Sequence, residues 1–366
     1  MKNTFGNHVQ VTLFGESHGE AIGVVIDGLA AGIALDIEFM KQQMEKRKAK
    51  GKISTQRKEQ DEVHIVSGYF NGYTTGTPLT ILIENTNTRS KDYEKTKNQL
   101  RPSHADYCAS EKYLGYQDYR GGGHFSGRIS APLVAAGAIA LQVLAQKGIV
   151  IGSHILQCKD VYDHCFAKDE KQIDEEIALL NTREFPTLSE TSAKKMIQVI
   201  EESAALGDSV GGILESCILH VPTGVGEPFF DSIESRLSHL LFSVPALKGV
   251  EFGLGFGFAN KYGSEANDSI IYADNRVQTT TNNNGGINGG ISNGMPILIR
   301  SVIKPTPSIY KPQDSIDLET HEALKLQIQG RHDPAIIHRA RVVVDSVLAL
   351  GILDLLMEKE ATISMR

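Results

Sequence analysis

The sequence predicts an α+β protein built as one large domain over residues 1–366. Strand-like and helix-like segments are interspersed, and some strands follow one another at hairpin-like spacing, which does not favour a doubly wound parallel sheet. With 41% hydrophobic and 22% charged residues, the chain has the composition of a globular protein with ample core. Thirty-five glycines, several in polar runs, predict loops whose backbone can approach a ligand closely.

Six segments have the alternation or the β-branched content of strands. They are HVQVTLF (8–14), EAIGVVIDGL (20–29), EVHIVSG (62–68), PLTILIE (78–84), ILESCILHV (213–221) and PILIRSVI (296–303).

Four segments are typical of helices. Residues 37–49 follow Asp36 as a cap, and residues 131–147 follow Ser130 and stop at Gly148. A capping box of Asp231 with Glu234 opens a third helix, whose apolar residues form one stripe. The apolar segment 346–360 predicts a helix near the C-terminus.

Composition excludes several classes of function. The net charge of −7 and the lack of zinc-finger or RNP patterns argue against nucleic-acid binding. The four cysteines show no CxxC pair and no zinc spacing, so we expect free thiols, no metal and a reducing, cytoplasmic location. The N-terminus lacks the apolar region of a signal peptide. The longest apolar run, APLVAAGAIALQVLA, is too short and too rich in Ala and Gly to predict a membrane span.

The first polar motif, Gly15 to Gly19, has the form GxSxG and raises a serine hydrolase that uses Ser17. Three observations oppose that interpretation. The segment after the motif is strand-like although a nucleophile elbow opens a helix, the motif precedes most of the sheet, and no downstream Asp and His stand out as partners. Taken alone, His18 is more simply a turn histidine. A hydrolase through Ser17 therefore stays the alternative function.

Three further polar clusters carry cations and histidines. The stretch 101–128 offers Arg101, His104, Arg120, His124 and Arg128 around a triple glycine, and its donors suit phosphate or carboxylate. In that stretch His104 is expected to titrate near neutrality. KPTPS (304–308) is a rigid polar turn, and GRHDP (330–334) holds an Asp before Pro, which predicts extended or turn geometry. Isolated, that Asp would be explained as an Asx turn.

A basic run between residues 41 and 58 is ordinarily a solvated face, or else a loop that meets an anionic ligand. The chain lacks GxxxxGK[ST] and lacks GxGxxG between strand and helix, so ATP and dinucleotide sites are without their usual signatures. Taken together, the clusters predict a composite pocket for a multiply anionic small molecule.

At these residues the sequence closely resembles the chorismate synthase family over nearly its whole length. The motifs occur in the family's order: FGESHG (14–19), RPSHADY…DYRGGG…SGR (101–128), GDSVGG (207–212), VPALKGVEFG (244–253), NGGISNGMPI (288–297), KPTPSI (304–309), GRHDP (330–334) and RARVVVDSVLALGILD (339–354). The resemblance implies a β-α-β sandwich whose Gly-rich loops close over a flavin. It also implies the FMN-dependent anti-1,4-elimination of phosphate from 5-enolpyruvylshikimate 3-phosphate, the last shared step to the aromatic amino acids.

The resemblance also implies roles for particular residues. His18 would donate a proton near the leaving phosphate, His104 would stabilise the charged flavin, and Asp333 would help the flavin N5 take up the substrate proton. Substrate would be bound by Ser17, Arg47, Arg101 and Arg128, with Arg47 also matching an NADP-binding position. Flavin contacts would come from His124, Phe125, Ser126, Pro245, Ala246, Gly289, Lys304, Pro305, Thr306, Pro307, Ser308 and Arg331.

The chain departs from the family's commonest motifs at four positions. Ser103 replaces a Gly, His124 replaces an Arg, and Ala335 replaces a Cys. Ile53 stands where a second Arg linked to NADP can occur. We therefore expect a monofunctional enzyme that receives reduced FMN from a separate flavin reductase, with NADPH as the indirect reductant.

The family implies a homotetramer. A third interpretation, a non-catalytic flavin-binding protein, is disfavoured because such a module has no use for His18, His104 and Asp333 together.

Overall fold

The structure is a computed structural model that describes residues 2–49, 51, 53–54, 61–86, 97–328 and 332–365. Within these ranges the strands are β1 (Thr4–Phe5), β2 (Gln10–Gly15), β3 (Ala21–Asp27), β4 (His64–Ser67), β5 (Tyr69–Phe70), β6 (Tyr73–Thr74), β7 (Leu79–Glu84), β8 (Val150–Cys158), β9 (Val161–Tyr162), β10 (Gly212–Leu219), β11 (Leu247–Phe252), β12 (Ile270–Ala273), β13 (Arg276–Thr279), β14 (Ile287–Asn288), β15 (Ile291–Ser292), β16 (Ile297–Ile303), β17 (Gln313–Ile316) and β18 (Ala323–Leu326). The α-helices are α1 (Ile37–Arg47), α2 (Asp106–Tyr113), α3 (Ser130–Gln146), α4 (Glu170–Thr182), α5 (Glu190–Ala205), α6 (Ile233–Leu241), α7 (Gly263–Ala266) and α8 (Ile337–Ser364).

Two five-stranded antiparallel sheets enclose a helical layer. The first sheet has the order β1-β2-β3-β7-β4 and the second β11-β16-β10-β8-β9. Helix α3 packs against the first sheet through β3 and β7, α8 packs against the second through β8 and β10, and the two helices pack against each other. One hydrophobic core includes residues of both sheets and both helices. The predicted α+β, β-α-β sandwich is confirmed.

Helices α3 and α8 approach closely at a glycine. A Cβ at Gly137 would lie only 2.2 Å from Cβ of Ser346 on α8, so a side chain there would force the helices apart. Nearly every residue of α3 before Leu141 is buried, as expected for a helix in the middle layer of a sandwich.

The six predicted strands are present as β2, β3, β4, β7, β10 and β16, but two predicted caps are wrong. Ser130 is the first residue inside α3, and its hydroxyl donates to the Gly127 carbonyl. At α6 the cap is Ser232, whose Oγ accepts from Ser235 N–H, while Asp231 instead binds Arg236. Asp36 and Gly148 act as predicted, since Asp36 accepts from Phe39 N–H and Gly148 has φ 77°.

The outer face of the second sheet is covered by α4. Alternation along β10 sends Leu214 and Ile218 to the main core, and Cys217 and Leu219 to a smaller cluster with Ile177 of α4. Buried on that outer face, His154 lies between Glu215 at 3.1 Å and Asp163 at 3.5 Å. All four cysteines are free thiols, as predicted.

The segment Gly127–Gln146 is long and apolar enough to cross a membrane by length and composition, which corrects the prediction that it is too short. In the structure most of this stretch is buried in the protein. A core helix meets the same criterion, and α3 is the core helix between the sheets.

Candidate active site

The turn between β2 and β3 carries Ser17 and His18. Both side chains are buried at the end of the first sheet, with exposures of 1% and 7%. The backbone N–H of Ser17 donates to the Gly123 carbonyl at 3.1 Å, which ties the turn to the triple glycine. The Asn85 amide donates to the carbonyls of Glu16 and Gly19 at 2.9 and 3.0 Å and so fixes the turn from its other side.

The triple glycine passes directly over the His18 ring. A Cβ at Gly121 would lie 2.4 Å from His18 Nδ1, so this close approach requires glycine, and φ is positive at all three glycines. A Cβ at Gly122 would lie 3.9 Å from a terminal nitrogen of Arg101. His124 Nδ1 donates to the Gly15 carbonyl at 2.8 Å. The predicted site residues of the 14–19 and 101–128 motifs therefore come together.

The geometry at Ser17 does not support the hydrolase alternative. Its motif lies in an antiparallel hairpin, whereas a nucleophile elbow joins a strand to a helix. Within the described residues, Ser17 Oγ is buried without a hydrogen-bond partner, so no base activates it. A buried hydroxyl of this kind is suited to binding a ligand atom.

A buried ionic group lies beside this turn. The guanidiniums of Arg47, the last residue of α1, and Arg128 both bind the carboxylate of Asp61. Arg128 also donates through Nε to Asn85 Oδ1 at 3.0 Å, which links it to the Ser17–His18 turn. Burial opposes ionisation of Asp61, but the two arginines outweigh it and lower the pKa of the carboxyl. The sequence did not identify Asp61 as a site residue.

The second part of the site joins the 101–106 loop to the KPTPS turn. His104 Nε2 lies 2.8 Å from Ser308 Oγ, and Lys304 Nζ donates to the Ser103 carbonyl at 2.8 Å. Arg101 is held by Asp106, to which its Nε donates at 2.8 Å. Burial, and then the charge of Arg101, lowers the pKa of His104 to about 4. The ring is therefore neutral at pH 7, which differs from the predicted titration near neutrality.

Arg339 connects Asp333 to the arginine group. Its NH1 donates to Asp333 Oδ2 at 2.8 Å, and its Nε donates to the Arg47 carbonyl at 2.9 Å. Asp333 lies outside any helix, as predicted for a residue before proline. The predicted contact Arg331 lies outside the described residues.

The described residues that were predicted to contact a flavin lie mostly in two groups. Lys304 N–H donates to the Ala246 carbonyl at 2.9 Å, so Pro245 and Ala246 lie beside the 304–308 turn. That turn also contains Pro305, Thr306 and Pro307. Phe125 is 46% exposed and contacts Tyr113 edge to face, and Ser126 Oγ accepts from Arg128 N–H at 3.3 Å.

Gly289 is the exception. It lies in the turn between β14 and β15, which precedes β16 in the chain, whereas Lys304 follows the end of that strand.

Comparison with known proteins identifies the family of the chain. Residues 9–357 match the family model described as chorismate synthase. The chain is 44% identical over 362 residues to the chorismate synthase of Thermococcus gammatolerans, covering 97% of this chain and 98% of that protein. It is 46% identical over 349 residues to the Pyrococcus abyssi chorismate synthase, covering 95% and 96%. A crystal structure of chorismate synthase superposes with a TM-score of 0.75 at 26% identity, covering 97% of this chain and 93% of that one. The chain therefore belongs to the chorismate synthase family.

Proposed function

We propose that this lyase-family protein converts 5-enolpyruvylshikimate 3-phosphate to chorismate and phosphate by an anti-1,4-elimination that requires reduced FMN, in the shikimate pathway to the aromatic amino acids. The supporting observation is the convergence of the buried Ser17–His18 turn, the triple glycine and the Arg47–Arg128 pair, joined through Arg101 to the His104–Ser308 loop. This grouping provides one cationic end and one neighbouring polar surface.

We assign the substrate's anionic groups to the cationic end. Arg47, Arg101 and Arg128 would bind the phosphate and carboxylates, with Ser17 Oγ as an additional polar contact. His18 would donate a proton to the departing phosphate. Because the glycine loop covers its ring, water has little access to that proton, and His18 is 7% exposed.

The neighbouring surface fits a flavin. Within the described residues, Thr306 Oγ1 is buried without a hydrogen-bond partner, as expected of a group that binds a ligand polar atom. Lys304 to Ser308, Pro245, Ala246 and His124 to Ser126 would hold the ring system. Bound reduced flavin would supply the electron density that assists loss of phosphate from a substrate whose C6 hydrogen is not acidic.

We assign proton handling at the flavin to His104 and Asp333. His104 is fixed by Ser308, and a negative charge on reduced flavin would favour the protonated ring, which the protein's own groups disfavour. Asp333 would handle the proton that leaves the substrate, and Arg339 fixes its carboxylate for that role.

We propose a homotetramer of one-domain chains. The continuous core over both sheets supports a single domain spanning residues 1–366. We propose that Gly289 contacts the flavin of another copy of the chain, because it lies in the β14–β15 turn before β16 whereas Lys304 follows that strand. Analytical ultracentrifugation tests the assembly, and a monomer with full activity would contradict the role given to Gly289.

We propose that the protein is monofunctional and cytoplasmic, with a separate reductase drawing on NADPH. Ile53 supports the proposal of a separate reductase, because it stands where a second Arg linked to NADP can occur. The side chain of Arg47 is 5% exposed and bound to Asp61, a location that suits an anion inside the site better than a dinucleotide at the surface. Aerobic NADPH-driven turnover by the pure protein, without another reductant, would contradict this proposal.

The decisive experiment is anaerobic turnover of 5-enolpyruvylshikimate 3-phosphate with dithionite-reduced FMN, followed by chorismate absorbance. We expect chorismate only when reduced FMN is present. Flavin binding without chorismate would favour the non-catalytic flavin-binding protein. A fluorophosphonate that labels Ser17 would instead favour the hydrolase.

A further inference from the structure

Asp61 occupies a position that the proposed roles do not explain. Its side chain is fully buried, and each of its two carboxylate oxygens binds a different arginine, Arg47 or Arg128. The side chains of both arginines are 5% exposed. Three charged groups from separate parts of the chain therefore meet in one enclosed place.

The Asp61 carboxylate offsets the electrostatic repulsion between the guanidiniums of Arg47 and Arg128. Two guanidiniums this close repel each other in a poorly solvated place, and a shared anion reverses that interaction. The charges of these three described groups sum to +1, so together they still attract an anionic ligand. The lowered pKa of Asp61 means that this carboxylate is ionised at neutral pH.

The backbone at Asp61 is left-handed, with φ 48°, a conformation that Gly, Asn and Asp adopt more readily than other residues. This position therefore favours Asp over Glu as the shared carboxylate.

Other described contacts of the two arginines show what Asp61 adds. Arg128 is anchored through Nε to Asn85 and through NH2 to the Glu84 carbonyl, and the backbone of Arg47 is held by Arg339. Asp61 binds NH1 of Arg128 and NH2 of Arg47, and so sets the relative orientation of the two guanidiniums. A ligand then meets two donors whose rotamers are already fixed.

We propose that Asp61 is a positioning residue that holds Arg47 and Arg128 ready to bind the substrate's anionic groups. This inference rests on the proposed function for the identity of the substrate. A purely structural ion group would stabilise the fold without any effect on anion affinity, and this difference can be measured.

The test replaces the carboxylate with an amide of the same shape, Asp61→Asn. We expect the Kd for inorganic phosphate, measured by calorimetry, to rise about 10- to 100-fold, because the amide cannot bridge two guanidiniums. KM for substrate should rise by a similar factor while kcat stays within about threefold. In an Arg47→Ala background, Asp61→Asn should change the phosphate Kd by less than about threefold, because the pair is already lost.

Asp354→Asn is the matched control. Asp354 is also fully buried and bound to an arginine, Arg236, but it anchors the turn at Asn7–Val9, a β2 length away from Ser17. We expect this control to lose thermal stability with an unchanged phosphate Kd. If Asp61→Asn does not fold, Asp61→Ser tests the same loss with a smaller side chain.

Two results would overturn the inference. An unchanged phosphate Kd in a folded Asp61 variant would make the group purely structural, and tighter phosphate binding would make Asp61 an internal competitor of the ligand. Failure of the wild-type protein to form chorismate would contradict the proposed function alone, because the phosphate measurement does not depend on turnover.

Discussion

The two ends of the candidate site hold their polar groups in different ways. At the first-sheet end, Arg47 and Arg128 are buried, charged and bound to Asp61. At the second-sheet end, His104 is half-buried, neutral at pH 7 and bound to the hydroxyl of Ser308. Fixed charges suit a substrate whose charge is constant, whereas a neutral group with a lowered pKa suits a cofactor whose charge changes with its redox state.

The largest expected effect lies at the junction of the two ends, where Arg339 joins Asp333 to the Arg47 carbonyl. Asp333→Asn should lower kcat about 10²- to 10⁴-fold, as loss of an acid–base group does, because the amide cannot carry the proton. The FMN Kd, measured by fluorescence quenching, should change less than about threefold. Asp314→Asn, at an exposed aspartate that pairs with Lys325, is the control and should keep full activity. Equal loss of FMN binding and turnover would make Asp333 structural.

Removal of a fixed positive charge at the first end of the site should weaken substrate binding. Arg128→Ala should raise KM for substrate about 100-fold, because it removes charge-assisted hydrogen bonds from the anion site. It should also lower thermal stability, since Asp61 would keep only one arginine. Arg276→Ala, which removes an exposed partner of Glu170, should leave KM unchanged. An unaltered substrate affinity in Arg128→Ala would refute the binding role.

The α+β class could be predicted from the alternation and β-branched content of the strands, which depend on near neighbours in the chain. The β-α-β sandwich was expected only from the family resemblance. It misplaced the α6 cap because Asp231 and Ser232 can both cap a helix, and the choice depends on the distant packing that pairs Asp231 with Arg236. The candidate site residues were found by resemblance rather than by periodicity.

The residues that support the site were missed because their contacts, like the choice of the α6 cap, depend on parts of the chain that are distant in sequence. Asp61 follows a run of charged residues and has the sequence signature of a solvated carboxylate, and only the fold brings Arg128 to it, 67 residues away. Asn85 ends an ordinary strand, and nothing local shows that its amide joins the Ser17–His18 turn to Arg128. Long-range polar contacts leave no pattern in a single sequence.

The comparison between fixed and titrating groups predicts opposite pH effects on stability for two histidines. The pKa of His104 falls from 6.5 to about 4 on folding, so the native state binds fewer protons and loses stability as pH falls from 6.5 to 4. His104→Gln should remove about 1–3 kcal/mol of that loss.

For His154, burial opposes protonation, but Asp163 and Glu215 outweigh it and raise the pKa. The contribution of His154 to the free energy of unfolding is complete below pH 6.5, and it is lost as the pH rises through the pKa of His154 in the folded protein. Urea unfolding at pH 5, 7 and 9 of wild type, His104→Gln and His154→Gln checks both signs. Parallel pH curves for all three proteins would contradict the assignment.

The smallest effect concerns the family departure at Ser103, which lies next to His104 and whose carbonyl accepts from Lys304. Ser103 has φ 59°, a left-handed conformation that disfavours a side chain, and this explains why Gly is the commoner residue there. Ser103→Gly should stabilise the protein by about 0.5–1 kcal/mol, measured by urea unfolding. Because only the Ser103 carbonyl contacts Lys304, FMN affinity should not change. A weaker FMN complex would show that the Ser103 side chain itself contributes to FMN binding. Side chains, and not only the backbone carbonyl of Ser103, would then shape the second end of the site, as Asp61 does at the first end.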